Sequence, residues 1–394
     1  MAADSYVQTT RQSRLSRLTS SIGGIFLGIV LIAIALPLLF WNEGRAVKRQ
    51  QALLEGQGSV ISISPDRVHS QNDGKLVHLS GVASSDETLT DPEFHVSVEG
   101  IRLLRTVEMY QWKELKSSTT EQDVCGGTET RTTYTYAQEW SEGLIDSNGF
   151  KKVEGHQNPT AMPYSSHVWQ AKSVSVGSFR LSPGLISQMS GEEAVAIDLN
   201  QIAEPMRANM QRSHEGLYIG VSPLAPAVGD VRITFKALWP QPISVVARQV
   251  GNTLEPFSTP SGGTIELLTM GTVSADGMFQ EAQAQNRVVT WVVRGIGFAL
   301  LFMGFSRILA PLSVMADVVP FVGDLVRMGT GGLAVVLAGI LSLLTIAMAW
   351  LTDHPLLGCV LLATSAVLAA AVTLLLRAFG TKARDVHKTQ PVQG

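Results

Sequence analysis

A chain of 394 residues with 45% hydrophobic content and a formal net charge of −3 is long enough for two or three domains and is nearly neutral. So small a charge, with no basic cluster interleaved with aromatics, gives no footprint for nucleic acid or for a strongly acidic ligand. The two cysteines, Cys125 and Cys359, lie one in a polar region and one in an apolar run, which argues against a disulfide, and no CxxC or Cys/His zinc spacing exists.

Residues 1–20 are polar, with Arg11, Arg14 and Arg17 ahead of the uncharged run Ile22–Trp41. At about 1.5 Å per residue that run crosses a hydrocarbon core of roughly 30 Å. Ala33-Ile34-Ala35 has the small-x-small pattern of a signal-peptide cleavage site. The apolar run continues past it to Trp41, however, so an uncleaved membrane helix over 21–42 is expected. Trp41 closes it as an interfacial aromatic. Asn42-Glu43-Gly44-Arg45 is then expected to end the span sharply.

Residues 43–287 read as one β-rich domain. Val231, Ile233, Phe235 and Ala237 alternate with Arg232, Thr234 and Lys236; Phe94, Val96 and Val98 alternate with His95, Ser97 and Glu99. Tyr134, Tyr136 and Trp140 share a face, and Ile243–Val250 and Thr264–Val273 read as further strands. Turn chemistry separates them, as at Asn72-Asp73-Gly74 and Val228-Gly229-Asp230. Helices are expected in Glu192–Gln211 and in Gly277–Arg287.

Three further apolar runs follow, at 288–311, 328–351 and 355–376, and a basic tail occupies 377–394. Arg294 and Arg307 lie toward the ends of the first of these. A central arginine there would cost roughly 2.5–3.5 kcal/mol on insertion scales; near an end it can snorkel to the headgroups beside Trp291. Residues 312–327 (LSVMADVVPFVGDLVR) are apolar yet carry Asp317, Pro320 and Asp324. The fold class expected is an α+β membrane protein with four transmembrane helices, one N-terminal and three C-terminal, and a large extramembrane domain. The lysines and arginines near the spans place both termini in the cytoplasm and the domain in a lumen or periplasm.

No GxSxG, HExxH, Walker A or dinucleotide fingerprint is present, and the histidines are scattered. No catalytic residue, cofactor or metal is therefore expected. His156 reads as support for the turn at Asn158-Pro159. Glu43 and Arg45, just past the first span, read either as the mouth of an ion pathway or as a solvated stop signal with Arg45 on lipid headgroups. The second reading is preferred because interfacial charges are common. Gly24 and Gly28 form a GxxxG spacing; packing within the molecule and self-association compete evenly for it. On a helix Asp317 and Asp324 would lie within about 20° of each other, with Arg327 able to pair with Asp324 and Pro320 bending the middle. A separate amphipathic element at the cytoplasmic surface or re-entrant into it is preferred over an ion or proton pathway, since it needs no buried acid. Replacing both aspartates with asparagine separates the two readings.

Local strings run through most of the chain: PLLFWNEGRA at Pro37–Ala46, VEMYQW at Val107–Trp112, HQNPTAM at His156–Met162, VGDVR at Val228–Arg232, VARQ at Val246–Gln249 and PFST at Pro256–Thr259. Pro320-Phe321 with Asp324-Leu325-Val326 completes the series. In order and spread they resemble the transmembrane protein 43 family, also called LUMA. The resemblance implies one N-terminal span, a large luminal domain and three C-terminal spans. In animals it implies the endoplasmic reticulum and inner nuclear membrane, with nuclear-membrane organisation, self-association, lamins and emerin as partners. Bacterial members exist and have no lamina, and few cysteines and no valid sequon lean toward a bacterial inner membrane. The function expected is a non-enzymatic membrane scaffold, a homo-oligomer in the lipid bilayer with other membrane proteins as partners. The alternatives are a channel or transporter-like assembly using Asp317 and Asp324, and a lipid-acting enzyme.

Overall fold

The computed structural model describes residues 5–122, 127–198, 202, 207, 210–213, 216–316, 320–351 and 355–388. The chain forms two compact units. The first comprises Met1–Thr10, Ala52–Thr119 and Thr130–Ala282, and the second Arg11–Gln51, Thr120–Glu129 and Gln283–Gly394. Five α-helices are described: α1 (Arg14–Ser59), α2 (Pro183–Gln188), α3 (Ala275–Ala316), α4 (Pro320–Trp350) and α5 (Pro355–Lys388).

The first unit is β-rich. Its larger sheet runs in the order Ser5–Gln12, Thr128–Ser141, Arg102–Gln122, Val231–Leu238, Gly216–Ile219 and Met210–Ser213. The expected alternation appears in Val231–Leu238, where Val231, Ile233, Phe235 and Ala237 are buried. That strand pairs antiparallel with Arg102–Met109, setting Val231 opposite Met109 and Phe235 opposite Arg105. In the second sheet, Gln241–Val250, Thr253–Glu255, Phe179–Leu181, Ser175–Val176 and Leu76–Ser84 pair in sequence. The first and last of these also pair with each other, so the five close into a ring. Leu267–Met270 adds to Gln241–Val250 and Ile61–Ser62 to Leu76–Ser84 as the sheet's two end strands. Phe94, Phe179, Phe235, Ile243 and Val245 contribute to one apolar core.

A smaller core joins Leu53 of α1 to Leu76, Val246, Ile265, Met278 and Phe279. Gly56 permits that approach, since a Cβ there would lie 2.2 Å from Ile265 Cδ1. Two expectations are corrected here. No helix begins at Glu192: Glu193–Ala194 pairs with Lys236 and Ala237, and Met210–Ser213 is a strand, while 199–201, 203–206 and 208–209 of the expected helix lie outside the described residues. Sheet pairing overrides a moderate helix propensity. Thr264–Val273 divides into Thr264–Ile265 and Leu267–Met270, which pair with different partners.

The second unit is helical. Ala35 and Leu39 of α1, Leu301 of α3 and Ala338 of α4 form its buried centre. Gly28 and Gly304 bring α1 and α3 to backbone contact: a Cβ on Gly28 would lie 2.6 Å from Gly304 O. Outward-facing Phe26, Trp291, Leu356 and Val367 are all more than two-thirds exposed, as lipid-facing side chains are. Gly23–Ser59, Ala275–Leu312 and Gly329–Trp350 are long and apolar enough to span a membrane, and Pro355–Ala371 is a shorter apolar helix.

The helices extend beyond the expected spans. Asn42–Arg45 does not stop α1, which continues to Ser59, because Ala46, Val47, Ala52 and Leu53 keep a buried face past the charges. The described parts of 312–327 belong to the two neighbouring helices rather than to an element of their own. Leu312–Ala316 ends α3, and Pro320 opens α4, where a missing N–H breaks no helical bond. Asp317 lies outside the described residues. Asp324 and Arg327 fall in the opening turns of α4, where the backbone alone is described.

Candidate functional site

The charged residues near the membrane gather in the helical unit. Asn286, Thr290 and Arg294 are four residues apart and share one face of α3. On α1, Asn42 and Arg45 are three apart. Glu43 is buried, and Arg294 holds its carboxylate with a two-pronged grip: Nε donates to Oε1 and Nη2 to Oε2, both at 2.7 Å. Trp350 Nε1, the last residue of α4, donates to Oε2 at 2.6 Å. One carboxylate thus ties three helices together. The Trp291 ring centroid lies 4.9 Å from the Arg294 guanidinium carbon, an arrangement favourable to a cation.

A second set of bonds adjoins it. Arg45 donates from Nη1 to Asn286 Oδ1 at 3.0 Å, and from Nη2 to Asn42 Oδ1 and Thr290 Oγ1, each at 3.2 Å. Asn286 Nδ2 donates to the Ala46 carbonyl at 2.9 Å, and Asn42 Nδ2 to the Thr290 carbonyl at 3.2 Å. Arg45 Nε is buried without a partner.

These geometries overturn two expectations. Glu43 and Arg45 are not a solvated stop signal, since the carboxylate side chain is fully buried and the Arg45 head bonds to α1 and α3. Arg294 does not snorkel, because its side chain is only 19% exposed and turned onto Glu43. Burying an ion pair is costly unless the geometry is good and the remaining lone pairs are satisfied, and here a bidentate grip with an indole N–H meets both conditions. Glu43, Arg45 and Arg294 are therefore brought together, Gly28 sits at the α1–α3 contact, and a Cβ on Gly24 would come only within 3.9 Å of Arg307 Cδ. Sequence reasoning missed Asn42, Asn286, Thr290 and Trp350. The polar stripe at four-residue spacing in α3 was the signal available for two of them.

The β-rich unit holds its own polar centres. Arg105, buried in the row between Leu103 and Val107, pairs with Asp91 at 2.8 Å and Glu93 at 2.7 Å and donates to the Ser165 carbonyl. It was not singled out, because an arginine at a core-facing strand position contradicts the local pattern until its acids are placed. His156 donates from Nδ1 to the Lys152 carbonyl (3.1 Å) and stacks on Tyr136, with centroids 4.0 Å apart. Asn158 bridges Trp112 through both of that residue's backbone groups. Burial first, then the hydrogen bond to Asp230 and its charge, push the Tyr218 phenol above its ordinary value. Among the described residues no three His, Cys, Asp or Glu side chains gather at metal-binding spacing.

Comparison with known proteins adds the following. A family model described as Transmembrane protein 43 matches residues 109–355. The Mus musculus protein named Transmembrane protein 43 is 36% identical over 365 residues, covering 88% of this chain and 90% of that protein. Its Homo sapiens counterpart is 36% identical over 355 residues, covering 87% of each. A Drosophila melanogaster protein named as a homolog of it is 31% identical over 348 residues, covering 85% of this chain and 90% of that protein. No solved structure matches the chain.

Proposed function

The chain belongs to the transmembrane protein 43 family, and from that premise we propose that it is a non-enzymatic organiser of a membrane and its protein complexes. The observation that carries this reading is the Glu43–Arg294–Trp350 clamp, in which Arg294 and Trp350 occupy both carboxylate oxygens. Charges engaged with one another fix helix geometry; a conducting pathway needs groups available to the ion. The clamp supports a rigid membrane anchor from which the β-rich unit presents its surface. Self-association belongs to the same reading, with both termini in the cytoplasm and the β-rich unit on the luminal or periplasmic face.

Chemical cross-linking in native membranes tests it. Defined oligomers and reproducible neighbours are expected; monomers without stable neighbours would sink the reading. Single cysteines placed in the C-terminal tail and at exposed Leu224, labelled in sealed membranes, test the orientation. Labelling of both from the cytoplasmic side overturns it.

A channel or transporter-like assembly is the second reading, favoured by the presence of Glu43, Arg45 and Arg294 within or beside apolar spans. It predicts ion flux in liposomes that is lost on Glu43→Gln. Absence of flux under every imposed gradient removes it.

A further inference from the structure

Below the clamp, α3, α4 and α5 line an open-sided cavity of about 610 Å³. Its walls include Phe298 of α3, Gly339, Leu343 and Ile346 of α4, and Leu357 and Leu361 of α5. Arg294 and Trp350 stand at one end. We propose that this cavity holds one acyl chain of a bilayer phospholipid, with the phosphate of the headgroup against Arg294.

Four features carry the assignment. The lining is apolar apart from Arg294, Ser342 and the Trp291 and Trp350 indoles, so the space suits hydrocarbon better than water. From Trp350 down to Gly339, α4 descends about 16 Å at about 1.5 Å per residue, one leaflet's share of a core of roughly 30 Å. The polar end is at the level of Trp291, which is 69% exposed, as an interfacial aromatic is. Finally, Glu43 takes Arg294 Nε and Nη2 but leaves Nη1 without a partner among the described residues. The surrounding cluster sets two guanidinium groups, Arg45 and Arg294, against the Glu43 carboxylate. That imbalance complements a phosphate.

Two glycines make the test specific. Gly295 and Gly339 both line the cavity, and an added Cβ at either meets nothing within 4 Å. Gly339→Phe and Gly295→Phe therefore fill the cavity from opposite walls. The full-length protein is reconstituted in vesicles containing a phospholipid with a diazirine halfway along one acyl chain, or the matching diacylglycerol without phosphate. On irradiation the phospholipid is expected to label peptides carrying Leu343 and Leu361. Labelling should fall about tenfold in either filled variant and several-fold with the diacylglycerol.

Undiminished labelling in the filled variants overturns the proposal, as does equal labelling by the two probes. Cross-links between copies at Leu343 or Leu361 would assign the cavity to a neighbouring chain instead. Should neither variant insert, wild-type labelling alone decides: concentration at the cavity supports the site, and an even spread over Phe26, Leu356 and Val367 refutes it.

Discussion

Glu43 and Arg294 are 251 residues apart in sequence and meet in two parallel hydrogen bonds of 2.7 Å. Removing one partner of a buried pair leaves the other charge desolvated, at a cost of about 3–5 kcal/mol, whereas replacing both with apolar groups can be nearly neutral. Glu43→Leu and Arg294→Met should each lower thermal stability in detergent sharply. The double variant should recover more than half of the combined loss. Additive losses in a double-mutant cycle would mean that the pair does not act as a unit.

Gly28 is the tightest point between α1 and α3. Gly28→Leu forces a side chain into Gly304 O and Ile308 and should destabilise the helical unit by about 1–3 kcal/mol. Gly23→Leu, whose Cβ meets nothing within 4 Å, should be close to neutral. If the glycine serves packing within the molecule, the loss is the same at all protein concentrations. A loss that appears only on dilution, measured by thermal unfolding at two concentrations, would assign it to self-association.

Asn158 accepts from the Trp112 N–H at 2.7 Å and donates to the carbonyls of Trp112 and Ile145 at 2.8 and 3.1 Å. Asn158→Ala strands partly buried backbone groups and should cost about 2 kcal/mol. Asn158→Asp should also destabilise, because a carboxylate cannot donate to either carbonyl. Unfolding in urea, followed by the tryptophan emission of the β-rich unit, measures both; wild-type stability in Asn158→Asp would refute the donor role.

Glu192 pairs with Arg102 at 2.6 Å. Burial alone would raise its pKa, but the backbone hydrogen bonds and Arg102 bring the net shift below the ordinary value of 4.5. A depressed folded pKa means that the unfolded chain binds the proton more readily. The contribution to stability is thus complete above about pH 4.5 and is lost as pH falls through the folded value. Glu192→Gln should be less stable than the wild type by on the order of 1 kcal/mol at pH 7, with the gap closing below pH 4.5. A gap that does not change with pH, in thermal unfolding from pH 3 to 7, would contradict this.

How much of this was legible depended on how local the physics is. Val231–Leu238 was readable because its two-residue period faces a core on one side, and the pattern survives in any register that buries that face. The apolar runs were readable because hydropathy is a sum over neighbouring residues. Glu192–Gln211 misled for the opposite reason: the edge of Val231–Leu238 captured Glu193 and Ala194 from far along the chain. Gly28 was visible as a small residue, but only its position against Gly304 gave it a partner.

Asn42–Arg45 carries the sharpest lesson. Read alone, a glutamate and an arginine after twenty uncharged residues mean the end of a membrane span. Residence in the membrane, the α+β class and the family were available from such local signals. Whether those charges face water could not be read locally, because it depends on a partner. The desolvation cost of Glu43 is met by Arg294 and Trp350, and packing of three helices places both within hydrogen-bond reach. The same packing that turns a stop signal into a buried clamp leaves one guanidinium edge on an apolar cavity.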